Sequence, residues 1–161
     1  MSITTNINVK ELYEFTIKHN YRTLHGIIGL LFSIASAVGA VFFWDKLTMT
    51  NKVLIVIFAL TFTVFEPLGC YIKVRRQIKK SFAQPLVYNF DDKGITITQG
   101  EQNAQCYWYE IMKVTSTKNL VNIYTSPVRA FILPKKDIGE KFGQLRDIIN
   151  KNAECRHVDV N

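Results

Sequence analysis

Two long apolar runs, separated by eight residues, constrain this chain more than any other feature. The first, GIIGLLFSIASAVGAVFFW from Gly26 to Trp44, holds nineteen residues without a formal charge. As a helix it would reach about 28 Å, close to the ~30 Å hydrocarbon core of a bilayer. It lies too far along the chain, and is too long, for a typical signal-peptide core. The second, VLIVIFALTFTVFEPLGCYI from Val53 to Ile72, carries one charge, Glu66. The connection from Asp45 to Lys52 is short enough for only a tight antiparallel hairpin. The expectation is a two-helix transmembrane hairpin over residues 26–72, with both chain ends on one side.

Charge predicts which side. Lys10, Lys18 and Arg22 precede the first run, and Lys73, Arg75, Arg76, Lys79 and Lys80 follow the second; the connection carries Lys46 and Lys52. Eight cations against two place both ends in the cytoplasm. The expected location is the inner, cytoplasmic membrane of a cell. Trp44 and Tyr71 suit the outer and inner interfaces. The cluster at residues 73–80 reads as a basic juxtamembrane linker. Each of its five cations would gain about 1 kcal/mol from anionic lipid. The net charge of +7 is thus mostly local, since ten cations and nine anions follow from Ser81 onward. A nucleic-acid domain spreads its cations over a folded face, so no nucleic-acid partner is expected.

Within the first run, Gly29, Ser33 and Ala37 recur every four residues and share a helix face. Small residues there let another backbone approach closely. That backbone is either the hairpin's own second helix or a second copy of the chain, making a homo-oligomer. In the second run, Pro67 has no N–H and would leave the Thr63 carbonyl without its helical donor. The resulting kink would open a polar pocket toward the first span. Glu66 would then lie level with Leu31 to Ser33, with Ser33 as its hydrogen-bond partner. Residues 1–25 read as a cytoplasmic amphipathic segment, with a helix starting near the cap residue Asn8.

After Lys80 the period of the pattern changes. PLVYNF and ITITQ flank the turn signal at Asp92 to Gly94, which reads as a hairpin. AQCYWYEIMKVTST, LVNIYTS and VRAFIL are further strand candidates. Ile138, Phe142, Leu145 and Ile149 recur at three and four, the mark of an amphipathic helix. Five strands and one helix over residues 81–161 predict an α+β domain with one small core.

Cys106 to Lys136, CYWYEIMKVTSTKNLVNIYTSPVRAFILPKK, resembles the YcxB-like family of small bacterial membrane proteins, as does YNFDDKGITI upstream. Trp108 before Glu110-Ile111, then Val114, a Tyr/Leu-rich strand, and Ile132 to Lys136 carry the resemblance. It implies a pleckstrin-homology-like domain, a seven-stranded half-open β-barrel closed by a C-terminal helix. One or two strands beyond the five should then lie within Ala104–Thr117 or before Asn89. The family supplies no catalytic residues.

Little in the chain suggests chemistry. Three widely spaced cysteines, Cys70, Cys106 and Cys155, do not form a disulfide framework. Cys155 and His157 make a lone C-x-H without further ligands. Asp91 and Asp92 sit where a turn favours aspartate. No phosphate loop, nucleophile elbow or H-E-x-x-H is present. No catalytic residue, cofactor or metal is expected. Trp108 is either core or a binding-surface aromatic. Lys135 and Lys136 are either a solvated loop or the basic lip of a partner or ligand surface. The function expected is a non-enzymatic membrane protein presenting its domain to a protein partner. Two alternatives stand beside it: an oligomeric membrane component handling a small solute or proton through Glu66, and an immunity or defence protein blocking a toxin.

Overall fold

The computed structural model describes residues 1–153 and the backbone of 158 and 159. Cys155 and His157 lie outside the described residues. The chain divides into two compact units, Tyr13–Arg76 and the combination of Met1–Leu12 with Gln77–Asn161.

The first strand, β1, is Ser2–Thr5, and α1 follows at Val9–Arg22. Asn8 starts that helix: its side chain accepts from the Glu11 N–H at 3.1 Å, while Glu11 accepts from the Asn8 N–H at 2.9 Å. This reciprocal pair satisfies two donors that a helix start otherwise leaves free. The apolar runs form α2 (Leu24–Phe43) and α3 (Met49–Leu60), joined through a 3₁₀ turn at Trp44–Lys46. Thr23 and Thr48 cap the two helices by accepting from Gly26 and Asn51. A π-helical turn at Thr61–Phe65 leads into α4, Glu66–Ser81. The stretches Leu24–Lys46 and Met49–Ser81 are long and apolar enough to cross a membrane. Their side chains are unusually bare, with Val41 79% and Phe42 77% exposed. The basic cluster at residues 73–80 is helical, part of α4.

Six strands follow: β2 (Leu86–Phe90), β3 (Gly94–Gln99), β4 (Gln102–Tyr107), β5 (Lys113–Ser116), β6 (Leu120–Ser126) and β7 (Arg129–Pro134). Then come α5 (Lys135–Ile138), α6 (Phe142–Asn152) and a short β8 (Val158–Asp159). The strands form two four-stranded sheets, ordered β1-β2-β3-β4 and β7-β6-β5-β8. All pairings are antiparallel except β5 with β8.

The turns explain the hairpins. Asp91 Oδ1 accepts from the N–H groups of Lys93 and Gly94, which folds the β2–β3 connection. Gly94 must be glycine on space alone, since a Cβ would overlap the Cys106 carbonyl across the ladder. Gly100, between β3 and β4, has φ +58° and so sits where other residues are strained.

The segment Ala104–Thr117 is broken by a 3₁₀ turn at Trp108–Glu110, which separates β4 in one sheet from β5 in the other. Two further strands are missing from the sequence reading: the short β8, and β1, which pairs with β2 from Ser2↔Asn89 to Thr5↔Leu86. Residues 1–5 therefore belong to the sheet unit and not to a separate N-terminal segment. Both sheets and α6 share one core, in which Ile3, Ile95, Val114, Ile123, Leu133, Leu145 and Ile149 are buried. Each such side chain contributes roughly 1.5–3 kcal/mol.

Candidate functional site

In the helical unit, the interest centres on the break in the second long helix. The Glu66 N–H bonds to the Thr61 carbonyl, five residues back. With that offset, the donor that Pro67 lacks falls opposite Phe62 rather than Thr63. The Phe62 carbonyl instead accepts from the Tyr21 hydroxyl at 2.7 Å. A side chain of α1 thus replaces the bond that proline removes. Thr61 and Thr63 turn their hydroxyls back onto the Ile57 and Ala59 carbonyls, both at 2.7 Å.

Ser33 is nearly fully buried and donates to the Ala59 carbonyl at 3.0 Å, not to Glu66. Ala59 lies seven residues before Glu66, so the carboxylate is two helical turns away. Along the antiparallel pair this brings Glu66 level with Gly26 rather than with Leu31 to Ser33. A cavity of about 150 Å³ there is lined by Asn20, Tyr21, Thr23, His25, Gly26, Phe62 and Glu66. Glu66 has no ion-pair partner among the described residues. The small-residue face packs within the hairpin: Gly29 and Ser33 are buried, and a Cβ on Gly29 would overlap the Phe62 ring. Ala37 remains exposed.

The five cations Lys73, Arg75, Arg76, Lys79 and Lys80 are exposed on α4. None has a carboxylate within ion-pair distance among the described residues. Arg75 lies over the Tyr71 ring at 5.9 Å.

In the sheet unit, Trp108 is 6% exposed and belongs to the core. Its indole N–H donates to the Asp91 carbonyl at 2.9 Å. It therefore does not supply a partner or ligand surface. Lys136 pairs with Glu11 at 2.8 Å, and Lys135 lies over the Phe142 ring at 4.7 Å. These contacts tie the two lysines to the N-terminal segment and to α6. The hydrogen bond to Glu11 pushes the Lys136 ammonium pKa up. Burial, with Glu110 nearby, pushes the Cys106 thiol up to about 11. Burial likewise raises the Tyr88 phenol. Asn122 is buried in β6 with its Oδ1 unpartnered.

One surface was missed from sequence. Tyr107, Tyr109, Met112 and Val128 are the large apolar side chains that the sheet unit leaves exposed among its described residues. Tyr107 and Tyr109 stack at 5.5 Å with their planes 6° apart. Met112 gives its N–H to Tyr124 and Lys113 pairs with Tyr124, so Met112 lies at the end of β5 nearest the β6–β7 turn that carries Val128. The signal was present in YWY, where two tyrosines flank the tryptophan; the 3₁₀ turn at Trp108–Glu110 buries Trp108 and leaves Tyr109 exposed. No group of His, Cys, Asp and Glu among the described residues is arranged to hold a metal.

No curated protein and no solved structure matches the chain. A family model does. Residues 90–149 match the YcxB-like protein family, and this YcxB-like segment runs from the end of β2 into α6, through both sheets of the unit that holds Trp108.

Proposed function

We propose that this chain is a non-enzymatic membrane protein of the bacterial inner membrane, anchored by the α2–α4 hairpin. In this reading it presents a pleckstrin-homology-like module to a cytoplasmic protein partner. Two sheets and a terminal helix around one core support the pleckstrin-homology-like reading. The pairing of β1 with β2 supports an even number of crossings, because the segments on either side of the hairpin build one sheet. The excess of cations on those segments favours the cytoplasm.

The observation that carries the binding role is the exposed Tyr107, Tyr109, Met112 and Val128 group. Aromatic and methionine side chains are enriched where partners dock. Tyr109 is 74% exposed and Val128 72%, in a unit whose other large apolar groups are mostly buried. A photo-crosslinking residue placed at Tyr109 in the full chain should capture one protein in living cells. Met112→Ser should abolish that adduct without changing membrane level. Adducts equal to those from Gln102, on β4 away from the patch, would overturn the reading.

A second reading is favoured by the polar cavity at Glu66. Here the hairpin oligomerises and handles a small solute or proton through that carboxylate. Loss of activity in Glu66→Gln at normal membrane level, with Tyr109 variants unaffected, would select it.

A further inference from the structure

The cavity beside the π-helical turn combines side chains that are rarely grouped at a membrane-facing surface. Glu66 contributes a carboxylate with no ion-pair partner among the described residues, and Asn20, Tyr21, Thr23 and Phe62 line the space with it. At about 150 Å³ the space exceeds one water molecule, whose share of the liquid is ≈ 30 Å³. We propose that this cavity binds a primary ammonium group, and that in the membrane the ligand is the ethanolamine headgroup of a phospholipid. The inference rests on the hairpin being in a bilayer, as argued above.

Charge and shape favour a cation of that type. An unpaired carboxylate beside the Tyr21 hydroxyl oxygen suits an organic ammonium ion, whose N–H groups donate charge-assisted hydrogen bonds. A bare metal ion fits less well, because the cavity offers one carboxylate and no second acidic group. The two helix ends at the cavity act oppositely. The C-terminal carbonyls of α1 favour a cation, while the N-terminus of α2 opposes one. The α2 end is partly quenched, since Thr23 caps its Gly26 N–H. The lone pairs of Tyr21 Oη remain free for a donor, because its proton goes to Phe62. His25 also lines the cavity.

The surroundings fit a lipid. Leu24, Ile27, Ile28, Phe65 and Leu68 flank the lining residues in sequence and are all at least 44% exposed. They would lie against acyl chains while the headgroup enters the cavity. Lys73 follows Glu66 by seven residues on the same helix, two turns toward the cationic end of α4. It is placed for a headgroup phosphate.

The test uses the full-length chain purified in detergent. Native mass spectrometry should show phosphatidylethanolamine retained about tenfold more than phosphatidylglycerol of the same acyl chains, a difference of about 1.4 kcal/mol. Glu66→Gln should remove the preference. Free ethanolamine at millimolar concentration should displace the lipid from the unmutated protein, a readout that needs no variant. A rise in melting temperature with ethanolamine in lipid-free detergent would make the free ammonium ion a sufficient ligand. A retained lipid preference with neither displacement nor such a rise would assign binding to the intact lipid. Equal retention of both lipids by the unmutated protein, or an unchanged preference in Glu66→Gln of normal helicity, overturns the proposal. Recovery of the chain in the soluble fraction after lysis without detergent overturns the membrane reading instead. The ethanolamine melting experiment then still decides the cavity.

Discussion

Trp108 fills the core with its ring and spends its one N–H on the Asp91 carbonyl, so two different losses follow from changing it. Trp108→Ala should cost about 3–5 kcal/mol through the cavity left behind. Trp108→Phe keeps most of the ring volume and should cost nearer ~1 kcal/mol, from the unpaired carbonyl. Denaturant titration of the sheet unit within the full chain measures both; equal costs would show that the bond, not the packing, matters. Cys106 supplies a pH dependence. Its folded-state pKa is raised from 9.0 to about 11, so the folded state holds the proton more tightly than the unfolded chain. The stability this provides is complete below pH 9 and is lost as pH rises toward 11. The loss is on the order of 2 kcal/mol. Tyr88, also raised by burial, acts in the same direction above pH 10. Cys106→Ala should flatten the fall in melting temperature between pH 9 and 10.5, and an unchanged slope would show that the thiol is not its source.

Between the elements, the bond from Tyr21 to Phe62 depends on the proline. Tyr21→Phe should cost about 1 kcal/mol of helical stability. In a Pro67→Ala background the added N–H competes for the same turn of carbonyls. Tyr21→Phe should then cost little. A double-mutant cycle on thermal unfolding in detergent reads this coupling, and strict additivity would show the two to be independent. The apolar helices, the Asn8 cap and the α6 periodicity were legible in the sequence, because each depends on residue type at fixed spacing. The π-helical turn was not. Hydropathy does not change at Thr61–Phe65, and only the backbone geometry reveals that the missing donor faces Phe62. The break at Trp108 was hidden for a similar reason: a 3₁₀ turn of three residues interrupts a β-prone run without a glycine or proline. The YcxB-like resemblance was legible in the short motifs around Trp108. The exposed tyrosines were overlooked because Trp108 itself drew the binding role.

At the scale of the whole molecule, the sheet unit is assembled from two distant parts of the chain. Residues 81–161 alone would lack Ile3 and Thr5, both buried, and the Glu11 partner of Lys136. A fragment of residues 77–161 should melt well below one in which Met1–Leu12 is joined to Gln77 by a flexible linker. Equal melting would show β1 to be dispensable. Four residues are too few for a periodic pattern, so nothing in SITT announced a strand. For orientation, a cysteine in place of Thr48 should react with an impermeant thiol reagent from outside the cell, and one in place of Ser2 should not. The reverse would overturn the cytoplasmic reading.

The pairing of residues 2–5 with residues 86–89 also sets an order in time. The first strand leaves the ribosome roughly eighty residues before its partner, a delay of several seconds at 5–20 residues per second. Throughout that interval both apolar helices are being made, while Ile3 and Thr5 have no strand to pair with. Both helices, which on the proposed reading enter the membrane, are therefore complete before the sheet can close. Any factor that protects the nascent N-terminus would act in that window, and slowing translation between Lys80 and Phe90 would lengthen it.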